Sequence, residues 1–250
     1  MHNGPGIDFS IPGTGMTEAP ARKAYQLDFV ECELAGNFYF LPAYSIDRPA
    51  VKCFLDGTVY EPETHALVRH VFSRIRGSMI HAGTFFGDMI PSFAAVADTL
   101  WCFEPVLENY VLARLSIERN GLDNVNLFNA ALSDTVGHVR INTVSQGGIH
   151  RGGSSFVAET GVTCPAMRLD QFDYTDLRIL QLDVEDHELP ALQGAVETIA
   201  RHKPLIMVED RAETCSAFLS SMGYVNVGAL PNLNIWLDPT NTVVELALRA

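Results

Sequence analysis

Basic residues are scarce in this chain: 17 Lys and Arg stand against 30 Asp and Glu, for a formal net charge of −13. Nucleic-acid binding needs Lys and Arg gathered on one face, so a nucleic-acid partner is not expected. Cysteine is sparse as well. Its five copies, at 32, 53, 102, 164 and 215, are odd in number and show no C-x-x-C spacing. That excludes a disulfide framework and a zinc knuckle and suits a reducing cytoplasm. No stretch approaches the ~18 consecutive apolar residues that span a bilayer, and the start lacks the basic-then-apolar pattern of a secretion signal. No membrane partner is expected. No internal repeat is visible.

What is present is apolar residue in quantity, 47% over 250 residues, enough for one sizeable core. Residues 1–20 scatter Pro5, Pro12 and Pro20 among four glycines and read as a tail. From Leu27 to Leu41 two alternating apolar runs flank Ala35-Gly36-Asn37, a β-hairpin pattern whose aromatic faces also suit self-association into a homo-oligomer. A short apolar run at Val51–Leu55 and a helix from Pro62 to Ile75 follow. Residues 1–60 are therefore expected to form a tail and hairpin cap, and 61–250 the main domain.

That domain reads as alternating strands and helices. Short apolar runs end near Ala82, Phe103, Phe128, Asp183 and Val208, with helical periodicity at 106–119, 189–200 and 212–222. Weaker strands are expected at His138–Asn142 and Val162–Arg168, on either side of a Gly/Ser-rich loop, 145–155. Two last runs, Tyr224–Val227 and Asn232–Leu237, read as an antiparallel edge pair. The expected fold is Rossmann-like α/β, with a mostly parallel seven-stranded sheet closed by that pair.

The first strand runs into Gly83-Thr84-Phe85-Phe86-Gly87-Asp88, and the second ends on Glu104, 21 positions past Gly83. A glycine turn lets backbone approach a ligand at the carboxyl edge of a sheet, and an acid about 20 residues on accepts ribose hydroxyls. The third glycine that packs a pyrophosphate against a helix is missing. A ligand with a ribose and no pyrophosphate fits, and S-adenosylmethionine is one.

Three segments together resemble the FkbM family of S-adenosylmethionine-dependent methyltransferases. They are Ile80-His81-Ala82-Gly83-Thr84-Phe85-Phe86-Gly87-Asp88; Phe103-Glu104-Pro105 with Asn129-Ala130-Ala131-Leu132-Ser133; and Leu182-Asp183-Val184-Glu185-Asp186-His187-Glu188. His81 stands where the family has an acid, Phe85 where it has asparagine and Asp186 where it has glycine. The resemblance implies a class I methyltransferase domain acting on a hydroxyl of a small-molecule, sugar or natural-product acceptor. It places His81, Gly83, Thr84, Phe85, Gly87, Asp88, Glu104, Pro105, Asn129, Ala130 and Asp183 around the cofactor.

An alcohol attacking a sulfonium methyl must be aligned and must lose its proton. Asp183, at the end of the fourth core strand, is the leading base. Glu188 and His187 follow one turn later, and His150 lies in the glycine-rich loop. Asp183, Glu209 and Asp210, at neighbouring strand ends, also suit Mg²⁺, which takes one or two carboxylates and would acidify a hydroxyl. Each acid has a structural reading too, as a helix cap or first-turn residue. Two alternatives of other classes stay open: a non-catalytic cofactor-binding or assembly subunit, and a dinucleotide enzyme.

Overall fold

A computed structural model of the chain describes residues 26–145, 147–211 and 213–249. The tail expected over residues 1–20 lies outside them. The described chain opens on a hairpin, β1 (Phe29–Leu34) and β2 (Asn37–Pro42), turning on Ala35 and Gly36 with φ of 52° and 79°. Positive φ at both turn residues matches the twist of the flanking strands. The apolar run Val51–Leu55 belongs to a helix, α1 (Pro49–Leu55), which buries Ala50, Val51 and Phe54. Helix α2 (Pro62–Phe72) starts, like α1, on proline.

The core then alternates: β3 (Ser78–Ala82), α3 (Ile90–Ala94), β4 (Thr99–Phe103), α4 (Leu107–Asn120) and β5 (Val125–Phe128). Helix α4 stops at Gly121, whose φ of 62° supplies the left-handed cap. After a small-strand region, β6 (Ala131–Leu132), β7 (Gly137–Asn142), β8 (Phe156–Ala158) and β9 (Val162–Met167), the core resumes with β10 (Leu177–Leu182). Helices α5 (Glu188–Gln193) and α6 (Val196–His202), strand β11 (Leu205–Val208), helix α7 (Cys215–Ser221), strands β12 (Val225–Ala229) and β13 (Asn234–Leu237), and helix α8 (Thr242–Arg249) complete it.

Seven strands form the main sheet in the order β12-β13-β11-β10-β3-β4-β5. Strands β11, β10, β3, β4 and β5 pair in parallel, while β13 is antiparallel to both β11 and β12. The expected edge hairpin is present, with a difference. Its second strand inserts between the first and the sheet, so β12 at the rim runs with the parallel strands and β13 alone is reversed. Strands β6 to β9 leave the main sheet and form a separate four-stranded one, β6-β9-β7-β8.

Apolar clusters cover both faces of the main sheet, one built on Met79, Phe93, Leu100 and Met207, the other on Ile80, Phe103, Leu180 and Leu192. This is the layered α/β solution. A third cluster joins the hairpin and α1 to the glycine turn: Tyr39, Leu41 and Phe54 pack with Phe85, Phe86 and Leu112. The hairpin is further pinned to α4 by Asn120, which exchanges hydrogen bonds with the backbone N–H and carbonyl of Phe38 at 2.8 and 2.7 Å. The continuous helix expected over 189–200 is instead broken at Gly194, where a Cβ would run into the Ser133 carbonyl. Among the described residues, no helix is long and apolar enough to cross a membrane.

Candidate active site

The carboxyl ends of β3, β4, β10 and β11 open onto one crevice. That is where ligands of open α/β sheets lie. Its centre is Gly83, held at φ 82° with its Cα against β10: a Cβ there would collide with the carbonyl oxygen of Asp183. Gly87, at φ 84°, sets the same turn against α4, where an added Cβ would stand 3.1 Å from Ala113. Only glycine meets both demands at Gly83. Phe85 and Asp186, which replace asparagine and glycine of the family pattern, also have positive φ, 48° and 68°. Those positions call for residues that tolerate the left-handed region, and here larger side chains occupy it.

Gly83, Asp183, Glu185 and Gly153 are shared walls of two chambers. The first encloses about 510 Å³ and is lined by Phe103, Glu104, Pro105, Val106, Ala130, Leu132, Ile141, Val157 and His187. The second, about 950 Å³, is polar: Arg48, Tyr60, His81, Asp88, Gln181, Asp183, Glu209, Arg211 and Asn232 face it, together with Phe85 and Met89.

In the first chamber the protein satisfies its own polar groups. Glu104 Oε2 accepts the Phe85 N–H at 2.8 Å, and Oε1 accepts the Val106 N–H at 2.9 Å and the Asn109 amide at 3.3 Å. One carboxylate thereby ties the glycine turn to the start of α4. Burial pushes its pKa up to about 8 against those hydrogen bonds. Asn129 donates to the carbonyls of Glu104 and Pro105 at 2.9 and 3.1 Å, fixing that peptide, and Ala130 beside it forms chamber wall. His187 meets Ser133 Oγ at 3.3 Å on this same side.

The second chamber is the opposite. Both ring nitrogens of His81, Oε1 of Gln181 and Oε2 of Glu209 are buried without a hydrogen-bond partner that meets normal geometry. The Thr84 hydroxyl, fully buried in the adjoining glycine turn, is unpartnered too. His81 and Gln181 are directly paired in register across β3 and β10. Burial, with His65 nearby, drives the His81 pKa down to about 3, so the ring is neutral at physiological pH. Asp183 is pushed well above the carboxylate range by burial and by Glu209, Glu185 and Glu61 around it. Glu209 is raised too, by burial, with Arg211 opposing the shift, so of the two facing carboxyls Asp183 is the one held more strongly toward its protonated form. Glu209 keeps its charge beside Arg211, 2.7 Å away, and Arg211 reaches Glu185 at 3.0 Å. Burial also raises Asp88, to about 7.

The remaining expected residues are placed elsewhere. Glu188 does not line either chamber; it turns back to accept the Val184 N–H at 2.9 Å and bracket the loop after β10. His150 lies outside both chambers, ring to ring with Tyr44 at 4.5 Å, its Nδ1 accepting the Gly152 N–H. The Mg²⁺ set is not assembled. Asp210 faces away and accepts the N–H groups of Thr214 and Cys215 at the start of α7. No group of three His, Cys, Asp or Glu with metal-binding geometry exists among the described residues. The donors present do not fit the ion.

Gln181, Asn109, Tyr60 and Arg211 had not been singled out in the sequence. Gln181 carried a signal: it is the one amide in the apolar run Ile179–Leu182. Asn109 could not be found that way, since it gains meaning only where Tyr44 donates to it at 2.7 Å and it donates to Glu104 and to the Gly152 carbonyl.

A parallel sheet with one reversed strand next to its rim, and a glycine turn facing an acidic strand end across a two-chambered crevice, together define a class I methyltransferase arrangement. The family model of the methyltransferase FkbM domain matches residues 81–225, more than half of the chain, and the chain belongs to that family. Among solved structures, it is similar to methyltransferase FkbM from Methylobacillus flagellatus KT, with 15% identity and a TM-score of 0.49 over 75% of this chain and 52% of the other. The chain thus spans about half the length of that protein. It is also similar to a methyltransferase from Geobacter sulfurreducens (13% identity, TM-score 0.43, 72% and 79% covered). A putative methyltransferase from Streptococcus mutans in complex with SAH gives 10% identity and a TM-score of 0.41, with 71% and 97% covered. No curated protein matches the chain.

Proposed function

We propose that this protein is an S-adenosylmethionine-dependent O-methyltransferase that acts on a hydroxyl of a small polar molecule such as a sugar or natural product. The observation that carries the reading is the division of the crevice at Gly83. A largely apolar chamber with one buried acid suits an adenosine, and it opens past a side-chain-free turn into a polar chamber. Glu104 has lone pairs left for ribose hydroxyls, and Pro105, Val106, Ala130 and Leu132 form an apolar slot for a base. The His81 ring, unpartnered in the wall of the second chamber, lies where a polar amino-acid moiety would satisfy it. When bound, S-adenosylmethionine supplies an electrophilic methyl group.

The chain's own work is positioning and proton handling. The Asp183–Glu209 pair holds one proton and one negative charge at the junction of the chambers, so it orients a hydroxyl and accepts its proton as the new bond forms. Arg211 keeps that charge from escaping onto Asp183. The segment behind the hairpin, through Arg48 and Tyr60, walls the second chamber and serves as the cap.

Calorimetric titration with S-adenosylhomocysteine tests this reading. Micromolar binding that is lost in Glu104→Ala is the expected result. Absence of binding to the wild type would remove it and favour an assembly subunit on the same fold. With binding secured, transfer to hydroxyl but not amine acceptors is expected, and the reverse preference would refute O-methylation.

A further inference from the structure

A third concavity, about 840 Å³, continues outward from the second chamber and shares Arg48 and Ser154 with it. Its chemistry is of one kind. Arg48 and Arg151 line it, and neither has an acidic partner among the described residues. The Arg151 guanidinium is steadied 5.0 Å above the Phe156 ring, and its Nε is buried with no acceptor. The Ser45 hydroxyl, in a residue only 6% exposed, is likewise unpartnered. His150 Nδ1 accepts the Gly152 N–H, so in the neutral ring Nε2 carries the proton; that buried N–H has no acceptor either. The single carboxylate on the wall, Asp47, is exposed and lies 3.3 Å from Lys52.

Two guanidiniums without acidic partners, with the buried Ser45 hydroxyl and the His150 Nε2–H, form a donor-rich set in a chain whose net charge is −13. Buried polar groups in folded proteins are normally paired, so unpaired donors gathered on one wall require an acceptor from outside. Water satisfies a lone hydroxyl, but two unneutralised guanidiniums lining one groove call for an anion, which they bind with charge-assisted hydrogen bonds. From this juxtaposition we infer that the outer groove of Arg48, Arg151, Ser45 and His150 binds a phosphate-type anionic group carried by the acceptor, whose hydroxyl then reaches Asp183 in the second chamber. The inference deepens the methyltransferase reading and rests on it for the role of the hydroxyl. It also gives the glycine-rich loop a task, since that loop brings His150 and Arg151 to the groove while Gly152 and Gly153 pack against Phe85.

Glucose-6-phosphate and inorganic phosphate, each titrated into protein with and without saturating S-adenosylhomocysteine, test the assignment. Saturable binding of glucose-6-phosphate about tenfold tighter than inorganic phosphate is expected, with a further loss of about tenfold in each of Arg48→Gln and Arg151→Gln. Unchanged S-adenosylhomocysteine affinity in both variants would show that they remain folded. No saturable binding, or binding untouched in both variants, would overturn the groove as an anion site. Equal affinity for the two probes would overturn the assignment to the acceptor. Loss of S-adenosylhomocysteine binding in the wild type would sink the methyltransferase reading alone, because the titrations without it still decide the groove.

Discussion

The two chambers of the crevice lie on either side of Gly83 yet treat their polar groups in opposite ways. In the first, Glu104, Asn109 and Asn129 spend their hydrogen bonds on the protein's own backbone and on one another. In the second, His81, Gln181 and Glu209 are buried with unspent capacity. A satisfied network rigidifies, whereas unpaired buried groups destabilise the free protein and reward a ligand that pairs them. On the proposed reading the first chamber is a preformed mould, held together by the same acid that would face the cofactor. The second would be a recognition surface kept at the expense of stability.

The largest effect that would break this partition is at the wall itself. Gly83→Ala forces a Cβ into the Asp183 carbonyl at a positive φ, and is expected to weaken S-adenosylhomocysteine binding by about 100-fold and to lower stability by about 3 kcal/mol. Calorimetry and chemical denaturation measure the two. Near-normal binding would mean that the strands separate at no penalty and that the close approach is incidental.

Next comes Glu104→Gln, which keeps the shape but presents an amide N–H to donors that need an acceptor. A loss of about 1–3 kcal/mol in denaturant unfolding is expected from the disturbed Phe85 and Val106 N–H contacts, alongside weakened ribose binding. Weakened binding with unaltered stability would separate the two roles that the geometry joins.

Acidity sharpens the comparison, because both chambers hold buried acids. Glu104, Asp88 and Glu188 are raised to about 8, 7 and 7 from 4.5, 3.8 and 4.5, in each case mainly by burial. Between those values the folded chain holds protons that the unfolded chain has released, so their contribution to stability is lost as pH rises. His81 and His65, lowered by burial to about 3 and 4, act oppositely, but only below 6.5, where unfolded imidazoles take up protons. Above pH 6.5 the acids act alone. The melting temperature of the ligand-free protein should drop by about 5 °C toward pH 8; a flat or rising profile would contradict the buried-acid account.

Much of this layout was legible in the sequence because its signals are local. Buried parallel strands are short apolar runs, and Gly83, Gly87 and Glu104 punctuate two of them at a spacing that chain geometry imposes. What was not legible depends on contacts between distant segments. At the break between α5 and α6 the Ser133 carbonyl leaves room only for glycine, and no window around Gly194 contains that carbonyl. Asp210 reads equally well as a metal ligand or a cap until the N–H groups of Thr214 and Cys215 are seen to claim it. Helix α8 is a different case. Asn241, whose Oδ1 accepts the Val244 N–H at 3.2 Å, is a cap signal directly ahead of an apolar stretch, and both are local.

The smallest effect separates the chambers most directly. Thermal unfolding of Gln181→Leu, measured beside Glu104→Gln, compares the loss of an amide whose oxygen is unpaired with the disturbance of a carboxyl paired at both oxygens. The account predicts a melting temperature for Gln181→Leu equal to or above that of the wild type, since an apolar side chain of similar size removes a buried carbonyl oxygen without a partner and loses only the long Nε2–H contact to Met89 Sδ, while Glu104→Gln melts lower. Destabilisation of Gln181→Leu as large as that of Glu104→Gln would contradict it, because both chambers would then be structural networks and neither would be poised for an acceptor.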